Sequence, residues 1–326
     1  MPIETATRWS RATAAACCIL CATAANAQTY PEKPIRLIVA YAPGGNADTL
    51  ARIISQRLGQ MLEQQIIVEN RPGANGAIGT EVAAKAAPDG YTLLFIASGH
   101  AINPGIYAKL AFDPVKDFAP ISLVGSTPLI LTITSALPAR SVKELIAIAR
   151  ARPGELSYAS AGNGSPGHLA GALFNSMGRV NIVHVPYKAT QQAFIDLTTG
   201  QVQVMYPSMT AVLPHIKAGR LRGLAITARE HSALAPELPT MQQAGMPGYE
   251  ATIWNGMLAP ARTPASIVSK LNTSIVQIMQ TQEVRDRIAA LGADPATSTP
   301  AAFGKFIADE IAKWGKVIKE AGVHID

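Results

Sequence analysis

Cysteine is absent after residue 21: Cys17, Cys18 and Cys21 are all the chain has. The rest of the sequence therefore has no disulfide and no thiolate metal site, and its fold must rest on a hydrophobic core. Histidine metal motifs are missing too. His100, His168, His184, His215, His231 and His324 show neither H-x3-H nor H-E-x-x-H spacing. Aromatic residues are 6% of the chain and charged residues only 15%, with scattered basic residues and a net charge of +6. Without a basic stripe or a stacking-aromatic motif, nucleic acid is not an expected partner. A mild positive field would help to capture a small anion, although plain solubility explains it equally well. No later run approaches the ~20 apolar residues of a membrane span. Internal repeats and low-complexity tracts are also absent.

What is present begins with an export signal. Arg8 and Arg11 precede an apolar run over 12–25, and Ala25-Asn26-Ala27 is an A-x-A cleavage site. Cleavage after Ala27 is expected to leave Gln28 at the new N-terminus of an exported chain. The roughly 300 residues that follow suggest about two domains at ~150 residues each.

Two series of alternating strands and helices come next. The first reads strand 35–41, helix 47–62, strand 65–69, helix 77–86 and strand 91–96. The second opens with the capping box Ser141-Val-Lys-Glu144 and helix 142–151. It continues through strand 156–159, helix 166–177 with Gly178 as its stop, strand 181–186, helix 190–199, strand 201–206, helix 209–218 and strand 221–227. This order predicts two mainly parallel α/β sheets flanked by helices. Thr263-Pro264 and Thr299-Pro300 each place an N-cap before Pro at N1, predicting helices 264–280, 282–291 and 300–321. These last helices should pack back on the first domain, so the chain would cross between domains twice.

The strand-to-helix junction at Gly162-Asn163-Gly164-Ser165-Pro166-Gly167 satisfies G-x-G-x-x-G. The acidic residue that would hold a ribose is missing, since the next strand ends in Pro186-Tyr187-Lys188, and no nucleotide or other cofactor is called for. Ser165 suits an N-cap and Pro166 suits N1. A helix start behind a Gly-rich turn offers free N–H groups and a positive dipole end to phosphate, sulfate or carboxylate. A tight βα turn with no ligand is the bland alternative. The counterpart in the first series is Tyr41-Ala-Pro43-Gly44-Gly45-Asn46-Ala-Asp48, where Asn46 can cap the helix and Asp48 favours its dipole. Two such turns could face one another across a cleft at the carboxyl ends of the strands. Ser165 and His168 also invite a serine-hydrolase reading, but no carboxylate is placed to orient the histidine. Trp254 is expected to pack in the core or at a hinge rather than on a ligand.

Several fragments, in this order and spacing, resemble one family across nearly the whole exported part. They are 30–45 (YPEKPIRLIVAYAPGG), 68–74 (VENRPGA), 87–94 (APDGYTLL), Asn103-Pro104, 113–118 (DPVKDF), 158–162 (YASAG), 184–188 (HVPYK), Trp254-Asn-Gly256, 306–310 (FIADE) and Trp314. The family is the Bug-type extracytoplasmic solute receptors of tripartite tricarboxylate transporters. The resemblance implies a two-domain periplasmic binding protein (a type II-like Venus flytrap) with two hinge crossovers, and a monomer rather than an enzyme. It would capture a di-, tri- or aromatic carboxylate, held mainly by backbone amides and hydroxyls, and deliver it to the membrane components of the transporter. An exported interaction protein without a ligand is the other class. The implied domains are 28–126 plus 251–326, and 127–250. The implied site is Tyr41, Gly44, Gly45, Asn46, Asp48, Ser98 and His100 in the first domain. The second would add Ala161, Gly162, Asn163, Gly164, Ser165, His168, Tyr187, Lys188, Tyr206 and Ser208. Ala189, Gln203 and Pro207 depart from the family pattern, and the last two point towards a ligand without an ammonium group.

Overall fold

The computed structural model describes residues 30–232 and 234–323. The expected export signal with its cleavage site, and His324, lie outside the described residues. The architecture below lies within the compact unit Lys33–Asp326. In chain order the first elements are β1 (Ile35–Val39), α1 (Asn46–Leu62), β2 (Ile66–Asn70), α2 (Ala77–Ala84), β3 (Thr92–Ala97), α3 (Gly99–Ile106) and β4 (Phe118–Pro128). Next come β5 (Ile130–Thr134), α4 (Val142–Ala151), β6 (Ser157–Ser160), α5 (Pro166–Gly178), β7 (Val183–Pro186), α6 (Thr190–Thr199), β8 (Val204–Met205), α7 (Met209–Lys217) and β9 (Leu221–Ile226). The chain ends with β10 (Thr252–Pro260), α8 (Ala265–Gln280), α9 (Gln282–Ala290), β11 (Asp294–Pro295) and α10 (Pro300–Ala321).

Among the described residues the strands form two sheets, ordered β11-β4-β10-β3-β1-β2 and β7-β6-β8-β5-β9. Both are mixed, which corrects the expectation of mainly parallel sheets. In the first, β2, β1 and β3 are parallel and β10 runs against β3. In the second, β7, β6 and β8 are parallel and β5 runs against β8. The antiparallel strand beside each parallel triplet, β10 or β5, arrives from the other lobe. It enters at the end where the parallel strands finish, so it must run antiparallel to them.

The two crossings are laced together. Pro128 on β4 pairs with Thr252 on β10. Fully buried Thr227 joins them: its Oγ1 accepts the Leu129 N–H at 2.9 Å and donates to Leu129 O, and its carbonyl accepts the Ala251 N–H. None of β4, β5 or β10 was expected from the local sequence pattern, nor was α3.

Helix ends follow the sequence closely where a side chain can cap. Ser141 accepts the Glu144 N–H, Ser165 the His168 N–H and Thr299 the Ala302 N–H. Three ends differ. Gly45, not Asn46, is the N-cap of α1, because the Asn46 amide reaches across to Thr127 Oγ1. Pro264 is the N-cap of α8, because the Thr263 hydroxyl donates to Pro260 O. Gly178 stays helical, and Arg179 takes the left-handed position with φ 50°.

Helix α10 anchors the first sheet. Glu310 on its inner face is buried and accepts both indole N–H groups, from Trp254 at 3.0 Å and Trp314 at 2.9 Å. Phe303 and Phe306 pack edge-on to Trp254. A Cβ on Gly256 would lie 2.1 Å from the Phe303 ring, so the strand can carry only glycine there. The helix does not stop at the first lobe as expected; its far end takes a hydrogen bond from Ser176 of α5 to Glu320. Glu310→Leu strands two buried indole donors, and a loss of roughly 2–4 kcal/mol is expected in urea unfolding. Glu310→Gln keeps one acceptor oxygen and should lose about half as much or less.

Candidate functional site

The strand topology directs several helix starts to one place. A cleft of about 650 Å³ opens there, walled by both lobes and by the crossing strands. The β1–α1 turn supplies Tyr41, Gly44, Gly45 and Asn46, and the start of α3 supplies Ser98 and Gly99. Thr127, Ile253 and Asn255 come from the crossing strands; Pro166, Ser208 and Thr210 come from the second lobe. Among the described residues the wall contains no Asp, Glu, Lys, Arg or His. It does contain the N-terminal ends of α1, α3, α5 and α7. The first turn of each helix has N–H groups without intrahelical acceptors, and each dipole adds about half a positive charge. Ala290 and Leu291, at the C-terminal end of α9, also line the wall, but four helix starts outweigh this one helix end, and the cleft is electropositive without a charged side chain.

Asp48 stands behind this wall rather than on it. It is buried, and its carboxylate accepts the Gly44 N–H at 2.9 Å, the Asn70 amide at 2.8 Å and Arg52 Nε at 3.0 Å. Burial by itself raises its pKa, but the bonds from Arg52, Gly44 and Asn70 outweigh this and hold the group below the usual carboxylate range. The carboxylate therefore clamps the turn and is kept from repelling an anionic guest.

Six of the expected residues line the cleft: Tyr41, Gly44, Gly45, Asn46, Ser98 and Ser208. Others are engaged elsewhere in this conformation. His100 is buried between Phe112 and Phe118, with Nε2 against Pro114 O at 2.9 Å. The α3 helix carries Ser98 and Gly99 to the wall and turns His100 inward. Ala161, Gly162, Asn163, Gly164 and Ser165 form the turn before Pro166, which alone of that stretch is on the wall. The His168 ring points away, into a second cavity of about 620 Å³ shared with Tyr158, His184 and Glu320. Tyr187 donates to Asp196 at 2.7 Å, and neither it nor Lys188 is on the wall. Tyr206 is core, packed on Tyr158 and Phe174. Gln203 is bonded to Ser157 and Gly200, so its departure from the family pattern is no guide to the ligand.

Asn75, Thr127, Thr210 and Asn255 are wall residues that local reading missed, whereas Gly99 lies in the expected segment 98–100. Asn255 lies within a quoted fragment, Trp254-Asn-Gly256, and Asn75 follows another. Nothing local to the sequence marks Thr127 or Thr210.

A family model described as "Tripartite tricarboxylate transporter family receptor" matches residues 50–323. The chain belongs to this family. BugT of Bordetella pertussis is 39% identical to this receptor over 302 residues, covering 92% of this chain and 93% of BugT. An R. palustris protein solved with adipate superimposes with a TM-score of 0.75 at 36% identity, over 91% of this chain and 100% of that one. MatC from Rhodopseudomonas palustris with bound malate gives 0.70 at 31% identity, over 89% and 100%.

The receptor's Ser165 and His168 do not form a nucleophile–base pair. Ser165 Oγ accepts the His168 backbone N–H, and His168 Nδ1 accepts the Gly164 N–H at 3.0 Å. With both side chains spent on the turn, neither can activate the other. Among the described residues no group of three potential metal ligands exists either.

Burial sets the pH response of stability. It drives the pKa of His100 down to about 4 against the hydrogen bond to Pro114, and that of His184 to about 4. His168 also falls to about 4, through burial and then the neighbouring His184. In the unfolded chain these rings titrate near ~6.5, so between there and ~4 the unfolded state holds more protons. Stability should be full above about pH 6.5 and fall steadily towards pH 4. Urea midpoints measured from pH 7.5 to 4.5 check this, and a flat profile contradicts it.

Proposed function

We propose that this receptor is an exported, periplasmic solute-binding protein that captures a small carboxylate in the cleft and presents it to the membrane components of a tripartite transporter. The observation that carries the reading is the wall itself: converging helix starts with no charged side chain among them. Carboxylates suit such a site, because fixed N–H dipoles meet the charge without a counter-ion that must itself be desolvated. The adipate and malate held by two related structures are both dicarboxylates. A di-, tri- or aromatic carboxylate is the expected ligand class.

The domains are 28–126 plus 251–326, and 127–250, hinged on the laced strands near Leu129 and Thr227. Closure would bring the turn Ala161–Ser165, with Tyr187 and Lys188, towards a ligand already seated on the first lobe. It is driven only by contacts that improve in the closed state. The receptor acts as a monomer and catalyses no reaction.

Thermal shift and calorimetry against di-, tri- and aromatic carboxylates test the reading. A cognate ligand at 100 times its Kd should add about 2.7 kcal/mol of stability. Absence of any shift across the panel would count against the reading. Because the wall lacks charged side chains, Kd should change by only about 2–3-fold between 50 and 300 mM salt. A slope of several ion pairs would contradict the backbone-held site. A Cβ on Gly99 would lie 2.7 Å from Asn75 O. Gly99→Ala should therefore displace the wall and weaken binding at least about tenfold, or about 1.4 kcal/mol.

A further inference from the structure

Asp48 and His168 occupy equivalent places in the two lobes. Each is the third residue of the helix that follows the middle strand of a parallel triplet, α1 after β1 and α5 after β6. Each side chain accepts the backbone N–H four residues earlier, from Gly44 at 2.9 Å and from Gly164 at 3.0 Å. Both donors are glycines in the left-handed region, with φ 76° and 72°. Both are followed by an extended N-cap, Gly45 or Ser165. The turns share this backbone path and are closed from behind alike, by a carboxylate in one lobe and an imidazole in the other.

Acceptance at Nδ1 places the neutral ring's proton on Nε2. A second histidine secures the rest of the turn: His184 Nε2 lies 2.7 Å from Ser160 Oγ, which accepts the Gly162 N–H. The His168 and His184 rings stack at 3.7 Å. Tyr158 of β6, His184 of β7 and Glu320 of α10 are the titratable groups that share the ring's cavity. Burial beside His184 holds His168 neutral far below neutral pH.

The difference in charge matters at a helix start. A carboxylate in the first turn cancels much of the dipole that attracts an anion. Asp48 can be used on α1 because Arg52 answers its charge. Among the described residues no cation pairs with the His168 side chain on α5, and a neutral acceptor closes the turn there without cancelling the dipole.

We propose that His168 is a positioning residue for the ligand: its uncharged Nδ1 shapes the turn Gly162–Ser165 and leaves the start of α5 electropositive for a carboxylate. This rests on the carboxylate-receptor reading. The test compares wild type with H168N, H168L and H168D, using adipate and malate as calorimetric probes. It adds amide exchange at Gly164 and melting temperature in the ligand-free proteins. Asn keeps an acceptor near the Nδ1 position, so H168N should bind within about threefold of wild type. Between pH 7 and 4.5 the probes' own carboxyl groups begin to protonate, so both proteins should lose affinity, and wild type should lose more than H168N. H168L should speed Gly164 exchange and weaken binding about tenfold or more. H168D should keep Gly164 protected but lower the melting temperature, because its buried charge has no cation partner, and, measured well below that temperature, weaken binding by a similar factor. Wild-type affinity in H168L or in H168D overturns the proposal, as does unchanged Gly164 exchange in ligand-free H168L. If wild type binds neither probe, the receptor reading fails for these ligands, and Gly164 exchange still decides whether His168 holds the turn.

Discussion

Each lobe completes its sheet with a strand that comes from the other lobe, and the site depends on this exchange. A strand arriving from across the cleft must run against the parallel strands it joins. That places β10 antiparallel to β3, and β5 antiparallel to β8. The carboxyl ends of the parallel strands then face the gap between lobes, and so do the starts of the helices that follow them. Thr227 and Leu129 tie the two crossings side by side, so the lobes share a hinge rather than a single flexible linker.

Given that topology, recognition needs little from side-chain charge. The wall offers amide dipoles and hydroxyls that are already ordered by helices and by the turns behind them. Preorganised dipoles need no rearrangement when a guest arrives, and they leave no buried ion unpaired when the site is empty. The charges near the turns are answered locally, as Asp48 is by Arg52, Asn70 and Gly44.

Legibility followed the range of the interaction involved. Ser141, Ser165-Pro166 and Thr299-Pro300 mark helix starts because a cap acts within three or four residues. The βα alternation is visible for the same reason: each strand and helix carries its own hydrophobic period. The crossing strands were not visible, because β4, β5 and β10 owe their conformation to partners far along the chain. Helix α3 hid behind Gly99 and Pro104, residues that read locally as breaks. Among site residues, glycines and hydroxyls at a strand-to-helix turn could be picked out, since the turn itself demands them. The inward direction of His100, His168 and Tyr206 could not, because it depends on which helix face meets the sheet.

The sequence by itself determined an α/β chain with two Gly-rich helix starts, an export-type leader pattern and the family to which the chain belongs. Local propensity, capping and motif order suffice for those. Only the tertiary structure decided that the sheets are mixed, that the cleft wall is free of charged side chains, and that Asp48 and His168 serve the turns from behind. These outcomes depend on contacts such as Asn46 with Thr127 and His168 with His184, between residues on different elements that only tertiary packing brings together.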